Sequence, residues 1–174
     1  AGFYFLGFGV ESGSERILKD VNKNITKQQI RNAFSLCKKI SIMTRGYFML
    51  GFIGETKNEM IETINFSKEL NPDFATFTLL APLPGTKDFK RAQQEGIFDK
   101  NYYKKEICPE INFPKHPYYI PKGFTEKSLM RMHKRAYKEF YLRPAYIFNQ
   151  IKTVKSIGDI KKLLKGALTV LKKK

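Results

Sequence analysis

The chain is poor in the residues that most often announce chemistry: two cysteines, two histidines, and only 16 acidic residues against 32 basic ones. Cys37 and Cys108 make no disulfide framework, and two thiolates cannot supply the three that a cluster-binding loop needs. His116 and His133 have no Cys, Asp or Glu at metal-ligand spacing, which argues against a zinc site. There is no Ser-His-Asp order, no P-loop and no paired-carboxylate arrangement. No run of about eighteen apolar residues is present to form a transmembrane helix. The N-terminus lacks the basic stretch and small-residue cleavage site of a signal peptide. The default expectation is a cytoplasmic protein, peripheral at a membrane if its basic end binds lipid.

What is there suffices for one domain with a core: 174 residues, 42% of them hydrophobic, so wholesale disorder is excluded. The net charge of +16 is uneven. Residues 151–174 carry eight lysines and one aspartate, a net +7, and the first 150 carry the remaining +9. A charge concentrated in a lysine-rich amphipathic end points to an anionic membrane surface or an acidic partner rather than to nucleic acid.

Three strand-then-helix units follow one another. Residues 3–10 are a nearly continuous apolar run, as expected of a parallel strand buried on both faces. A short helix is predicted from about Ser14 to Asp20. Thr26 then looks like an N-cap with Gln29 completing a capping box, before a stripe of Ile30, Ala33, Phe34 and Cys37. The second unit has a strand over 47–53, a capping box at Thr56 and Glu59, and an apolar face of Met60, Ile61, Ile64 and Leu70. The third has a strand over 74–81, a cap at Thr86 and a helix stop at Gly96. Such units in series build a parallel sheet with right-handed crossovers, leaving an N-terminal edge in need of a partner. Prolines and aromatics between Phe98 and Phe124 read as an ordered loop. Thr125 then caps a helix with Leu129, Met132, His133, Ala136, Tyr137 and Phe140 on one face, and Pro144 interrupts it. The expected organisation is therefore 1–97, an α/β unit; 98–124, an aromatic and proline-rich loop; and 125–174, a helical extension with the basic end.

In parallel sheets, ligands sit at the C-terminal ends of the strands. Gly7, Gly9 and Gly13 allow close backbone approach there, although tight packing is the commoner use of such glycines. Glu11 and Ser12, directly after a buried strand, suit acceptors for ribose hydroxyls or an ammonium group; equally, Glu11 caps the short helix that follows. By the period of two, Tyr47, Met49 and Gly51 share a face, where Met49 serves either the core or a soft stack on a purine. Glu55 reads as a first-turn helix charge. Lys23, between two helices, is either solvated or paired with a carboxylate.

Four segments in order carry a family resemblance: Gly-Val-Glu-Ser-Gly-Ser-Glu-Arg-Ile-Leu at 9–18, Asn-Lys-Asn-Ile-Thr at 22–26, Phe-Met-Leu-Gly-Phe-Ile-Gly-Glu-Thr at 48–56, and Ala-Pro-Leu-Pro-Gly-Thr at 81–86. Together they resemble the radical S-adenosylmethionine (SAM) superfamily, in particular its branch with a cobalamin-binding domain, the anaerobic protoporphyrin cyclase type. Phe-Tyr-Leu-Arg-Pro at 140–144 is similar to the C-terminal extension of that branch. The resemblance implies an α/β fold forming the C-terminal half of a partial (β/α)6 TIM-like barrel, followed by helices. It implies SAM contacts from Glu11, Ser12, Lys23, Tyr47, Met49, Gly51, Leu80 and Ala81, with adenine near Met49 and the SAM carboxylate near Lys23.

The departures are as informative. CxxxCxxC, the family's cluster-binding motif, is absent, and Ile53 stands where a proline is common. The expectation is the C-terminal part of a radical SAM enzyme from a truncated or split gene, inactive alone. Its [4Fe-4S] cluster and cobalamin would belong to the full-length parent, and its missing N-terminal half would be a partner. Two other readings are a non-catalytic binding module with a membrane- or acidic-partner-binding end, and a relative of RNA methylthiotransferases. Against the last stands the absence of a small β-barrel extension.

Overall fold

The computed structural model describes residues 2–98 and 116–152. Within them, three strands, β1 (Phe5–Glu11), β2 (Met43–Leu50) and β3 (Phe74–Leu79), form one parallel sheet in the order β1-β2-β3. Helices α1 (Glu15–Asp20) and α2 (Lys27–Lys39) link the first two strands, α3 (Lys57–Leu70) links the next two, and α4 (Lys87–Glu95) follows β3. After it come a two-residue antiparallel ladder, β4 (Ile97–Phe98) with β5 (Tyr119–Ile120), then α5 (Glu126–Tyr141) and α6 (Pro144–Lys152). This is an α/β arrangement of successive βα units. The three strands do not themselves close a barrel.

Local chemistry accounts for the helix starts. Thr26 and Thr56 each accept a bond from the backbone three residues on, while the side chain of Gln29 or Glu59 reaches back to the cap nitrogen. Thr125 and Ser128 form a third such box at α5, and Ser14 and Thr86 cap α1 and α4 with their hydroxyls. Pro144 opens α6 at a position where its missing N–H is not needed.

The sheet buries one face. Val10, Phe48, Leu50, Ala75, Phe77 and Leu79 pack against Phe34 of α2, Met60 and Ile64 of α3, and Leu129, Ala136 and Phe140 of α5. A second cluster, formed by Ile17, Phe52, Ile53, Leu80, Ala92 and Tyr119, closes the C-terminal ends of the strands. The pairing of β1 with β2 carries an irregularity between Gly9 and Glu11, and there Glu11 adopts φ +66°.

Several sequence-based boundaries shift. Strand β2 begins at Met43 rather than Tyr47 and ends at Leu50 rather than Ile53. Its first half, Thr44-Arg45-Gly46, is polar or small and hides the strand in the sequence, while Gly51 at φ +83° turns the chain out of the sheet. Strand β3 likewise stops at Leu79, before the prolines. The expected loop over 98–124 is pinned at its base by the β4–β5 ladder, and residues 99–115, including Cys108, Tyr102, Tyr103 and Phe113, lie outside the described residues. So does the basic end beyond Lys152.

Candidate functional site

Among the described residues, the other face of the sheet is open. Alternation along the strands sends Gly7 and Gly9 of β1, Arg45, Tyr47 and Met49 of β2, and Thr76 and Thr78 of β3 to this side, away from the helices. Tyr47 is 41% exposed, a large value for an aromatic in the middle of a central strand. Nearby, the Arg45 guanidinium lies over the Phe5 and Phe74 rings, 5.5 and 5.3 Å from their centroids.

Glycines shape the surface at β1. A Cβ on Gly7 would come 3.0 Å from the Tyr47 ring. One on Gly9 would lie 2.7 Å from Glu11 Oε1 and 3.1 Å from Lys23 Nζ. Lys23 Nζ donates to Glu11 Oε1 at 3.2 Å, and both side chains are about one-third exposed. The left-handed backbone at Glu11 is unusual for a residue with a side chain. The result is a shallow floor of bare backbone edged by a carboxylate, an ammonium, a phenol ring and a thioether. Chemically, Glu11 can accept from a cation, Lys23 can donate to an anion, and Tyr47 and Met49 offer a surface on which a flat ring could stack.

Of the residues singled out from the sequence, the structure brings Glu11, Lys23, Tyr47 and Met49 to this face, Met49 also packing against the second cluster. Gly51 does not share it, contrary to the period-two expectation. The strand has ended, and a Cβ there would meet Leu129 and Pro121 on the helix side, at 3.4 and 3.9 Å. Ser12 is fully buried, its hydroxyl 3.1 Å from Thr63 Oγ1 and accepting from the Ser14 amide. Leu80 is buried in the second cluster, and Ala81 follows it, half-buried.

Two glutamates beside the strand ends do more than their local sequence announces. Glu55 is not a first-turn helix charge: it precedes the cap Thr56. It is buried, and its Oε2 accepts from the amides of Gly51 and Phe52 at 2.6 and 3.0 Å, bracing the turn after β2. Burial pushes its pKa up to about 8, against the lowering effect of those two amides. Glu59 adds to its capping box a two-pronged pair with Arg16, at 2.7 and 2.8 Å, and accepts from Ser14 Oγ at 3.0 Å. The Arg16 bond, with help from Thr56 and Ser14, holds its pKa at about 2 despite burial. Arg16 also donates to the Gly54 carbonyl, so the starts of α1 and α3 are locked to one another. The spacing Gly-Glu-Thr-x-x-Glu at 54–59 contained this signal, but its partner Arg16 lies 43 residues away.

A metal centre is not built from these residues: no group of three His, Cys, Asp or Glu converges among the described residues. Cys37 is buried on α2 with Ile30 and Phe34, and His133 is buried on α5, its Nε2 2.8 Å from the Phe77 carbonyl.

No family model matches the chain. Among curated proteins it is 34% identical over 151 residues to an uncharacterized methyltransferase of Pyrococcus horikoshii, across 86% of this chain and 31% of that protein. It is 28% identical over 146 residues to the anaerobic magnesium-protoporphyrin IX monomethyl ester cyclase of Cereibacter sphaeroides, covering 83% of this chain and 22% of the relative. Over 110 residues it is 30% identical to the tRNA-2-methylthio-N(6)-dimethylallyladenosine synthase of Buchnera aphidicola, 62% of this chain and 25% of that one. The chain thus spans less than a third of each of these relatives.

Proposed function

Because this chain belongs to the radical SAM superfamily, we propose that its open sheet face is the SAM-holding part of such an enzyme's barrel. The observation that carries the reading is the Glu11–Lys23 pair over the bare backbone of Gly9, with Tyr47 alongside. Glu11 binds the ammonium of the amino-acid moiety, Lys23 its carboxylate, and Tyr47 with Met49 holds the adenine flat against the sheet. Ser12 and Glu55 act indirectly: Ser12 fixes the backbone after Glu11 through Thr63, and Glu55 fixes the turn after Met49. Bound there, SAM supplies a transferable methyl or adenosyl group, and the chain's own residues orient it.

Two cysteines do not fit a [4Fe-4S] site, so no step through a cluster is assigned to these residues. We assign the cluster, and cobalamin where used, to the remainder of the complete enzyme. Methyl transfer or radical cyclisation is the reaction class its relatives suggest.

Equilibrium dialysis of the whole chain against labelled SAM tests the reading. Saturable uptake is expected, reduced at least about tenfold by Lys23→Ala and unchanged by Lys27→Ala, whose ammonium lies over the Phe66 ring of α3. Uptake that does not saturate, or that ignores Lys23→Ala, would sink it.

A further inference from the structure

Helix α6 is fixed to the body by one side and apolar on the other. Tyr146 packs against the Phe140 and Tyr141 rings, with centroids at 5.4 and 5.1 Å, and its hydroxyl donates to the Asp73 carbonyl at 3.1 Å. Just before it, the Arg143 guanidinium donates to the Lys68 carbonyl and to Asn71 Oδ1, fixing the start of the helix. The helical period then places Ile147, Phe148 and Ile151 together on the side turned away from Tyr146. These three are 43%, 59% and 60% exposed. From Ile151 onward the sequence carries eight lysines and one aspartate.

We propose that this face of α6 docks on an anionic membrane surface. Each half of the pattern has its own counterpart in a lipid interface. Two aliphatic side chains and a phenyl ring enter the acyl boundary, and the net +7 of residues 151–174 meets acidic headgroups. Neither signal is sufficient alone for stable attachment; their adjacency supplies both. RNA would use the lysines but gains nothing from an isoleucine-rich face, which reads neither phosphate nor base edges. No helix among the described residues is long and apolar enough to cross a membrane.

The test is co-sedimentation of the full chain with vesicles of phosphatidylcholine alone or with about 30% phosphatidylserine. Binding to the acidic vesicles is expected to be at least about tenfold stronger. The combined variant Ile147→Ser, Phe148→Ser, Ile151→Ser is expected to lose at least about tenfold while keeping the wild-type thermal unfolding curve. Should that variant not fold, Phe148→Trp replaces it: its indole emission, the only one in a chain without native tryptophan, must shift to the blue on acidic vesicles and be quenched by bromine on the acyl chains. The proposal is overturned if the wild-type chain stays in the supernatant, if the triple variant binds equally well, or if the emission of the Phe148→Trp variant is unmoved. It is also overturned if a short RNA or an acidic protein displaces the chain from vesicles at equal charge concentration.

Discussion

The Tyr137 hydroxyl accepts from the amide of Phe77 at 3.2 Å and donates to its carbonyl at 3.1 Å, so one side chain occupies both backbone groups of a residue on the free edge of β3. One helical turn on, Tyr141 does the same for Ala75, at 3.0 and 2.7 Å. Four residues of helix rise about 6 Å and two residues of strand about 6.6 Å, so the two periods match over this short span. The two phenols and His133 from α5 substitute for a neighbouring strand, and among the described residues the sheet is open for pairing only at β1.

Removing either hydroxyl leaves an edge amide unsatisfied beneath a ring that stays in place. Tyr137→Phe and Tyr141→Phe are each expected to cost about 1–3 kcal/mol in urea unfolding, with no change in the circular dichroism of the native state. If α5 merely shields the edge sterically, both variants will unfold like the wild type.

Glu55 and Glu59 give stability two pH slopes of opposite sign. The raised pKa of Glu55, about 8, means that the folded chain holds a proton which the unfolded chain has lost. Its contribution is complete below about pH 4.5, declines as pH rises, and is gone above about pH 8. For Glu59, held at about 2, the contribution is complete above about pH 4.5 and disappears as pH falls through 2. Glu55→Gln should flatten the alkaline-side decline and Glu59→Gln the acid-side one, each leaving the other limb intact. Melting temperatures across pH 2–9 check this; a wild-type slope between pH 5 and 8 that survives Glu55→Gln would refute the first assignment.

Much of this architecture was legible from local pattern. Thr26, Thr56 and Thr125 announce their helices because a cap and its reciprocal partner sit three residues apart. The strands at Phe5 and Phe74 announce themselves as apolar runs. What stayed hidden depends on partners far along the chain: Ser12 with Thr63, Arg16 with Glu59, Tyr137 with Phe77, separated by 51, 43 and 60 residues. Glu55 was misread for a different reason. Its helix cap follows immediately, so dipole logic applied, yet the carboxylate folds backward onto the amides of the turn before it. At the candidate site the same division holds. Tyr47 and Met49 follow from alternation alone, whereas the burial of Ser12 and the departure of Gly51 from the face required the turn geometry.

Gly13 shows how closely α3 sits on the turn after β1. Its amide donates to Thr63 Oγ1 at 2.9 Å, and an added Cβ would lie 2.6 Å from the Glu62 carbonyl oxygen and 2.7 Å from Thr63 Cα. Those are backbone atoms inside a helix and cannot swing aside. Gly13→Ala is expected to destabilise by about 3 kcal/mol or more, measured by chemical unfolding. The same change at Gly54, where a Cβ would meet nothing within 4 Å, is limited to the strain of φ +68°, about 1 kcal/mol. Equal costs at the two sites would mean that the α3 contact yields.

Glu11 separates stability from ligand recognition most sharply. It holds a left-handed conformation that a glycine would adopt without strain, while its carboxylate pairs with Lys23 in a partly exposed setting. Glu11→Gly relieves about 1–2 kcal/mol of left-handed strain, costs about 0.4–1 kcal/mol in added unfolded-chain entropy and removes an ion pair worth at most about 1 kcal/mol, so the unfolding free energy should stay nearly constant. SAM uptake should nonetheless fall at least about tenfold, because the ammonium partner is gone. Glu11→Gln keeps the strain and loses the charge; it should bind as weakly as Glu11→Gly and be the less stable of the two. A Glu11→Gly chain that binds SAM like the wild type would leave the strained turn without a ligand to explain it, and would move the recognition of the amino-acid moiety elsewhere on the sheet.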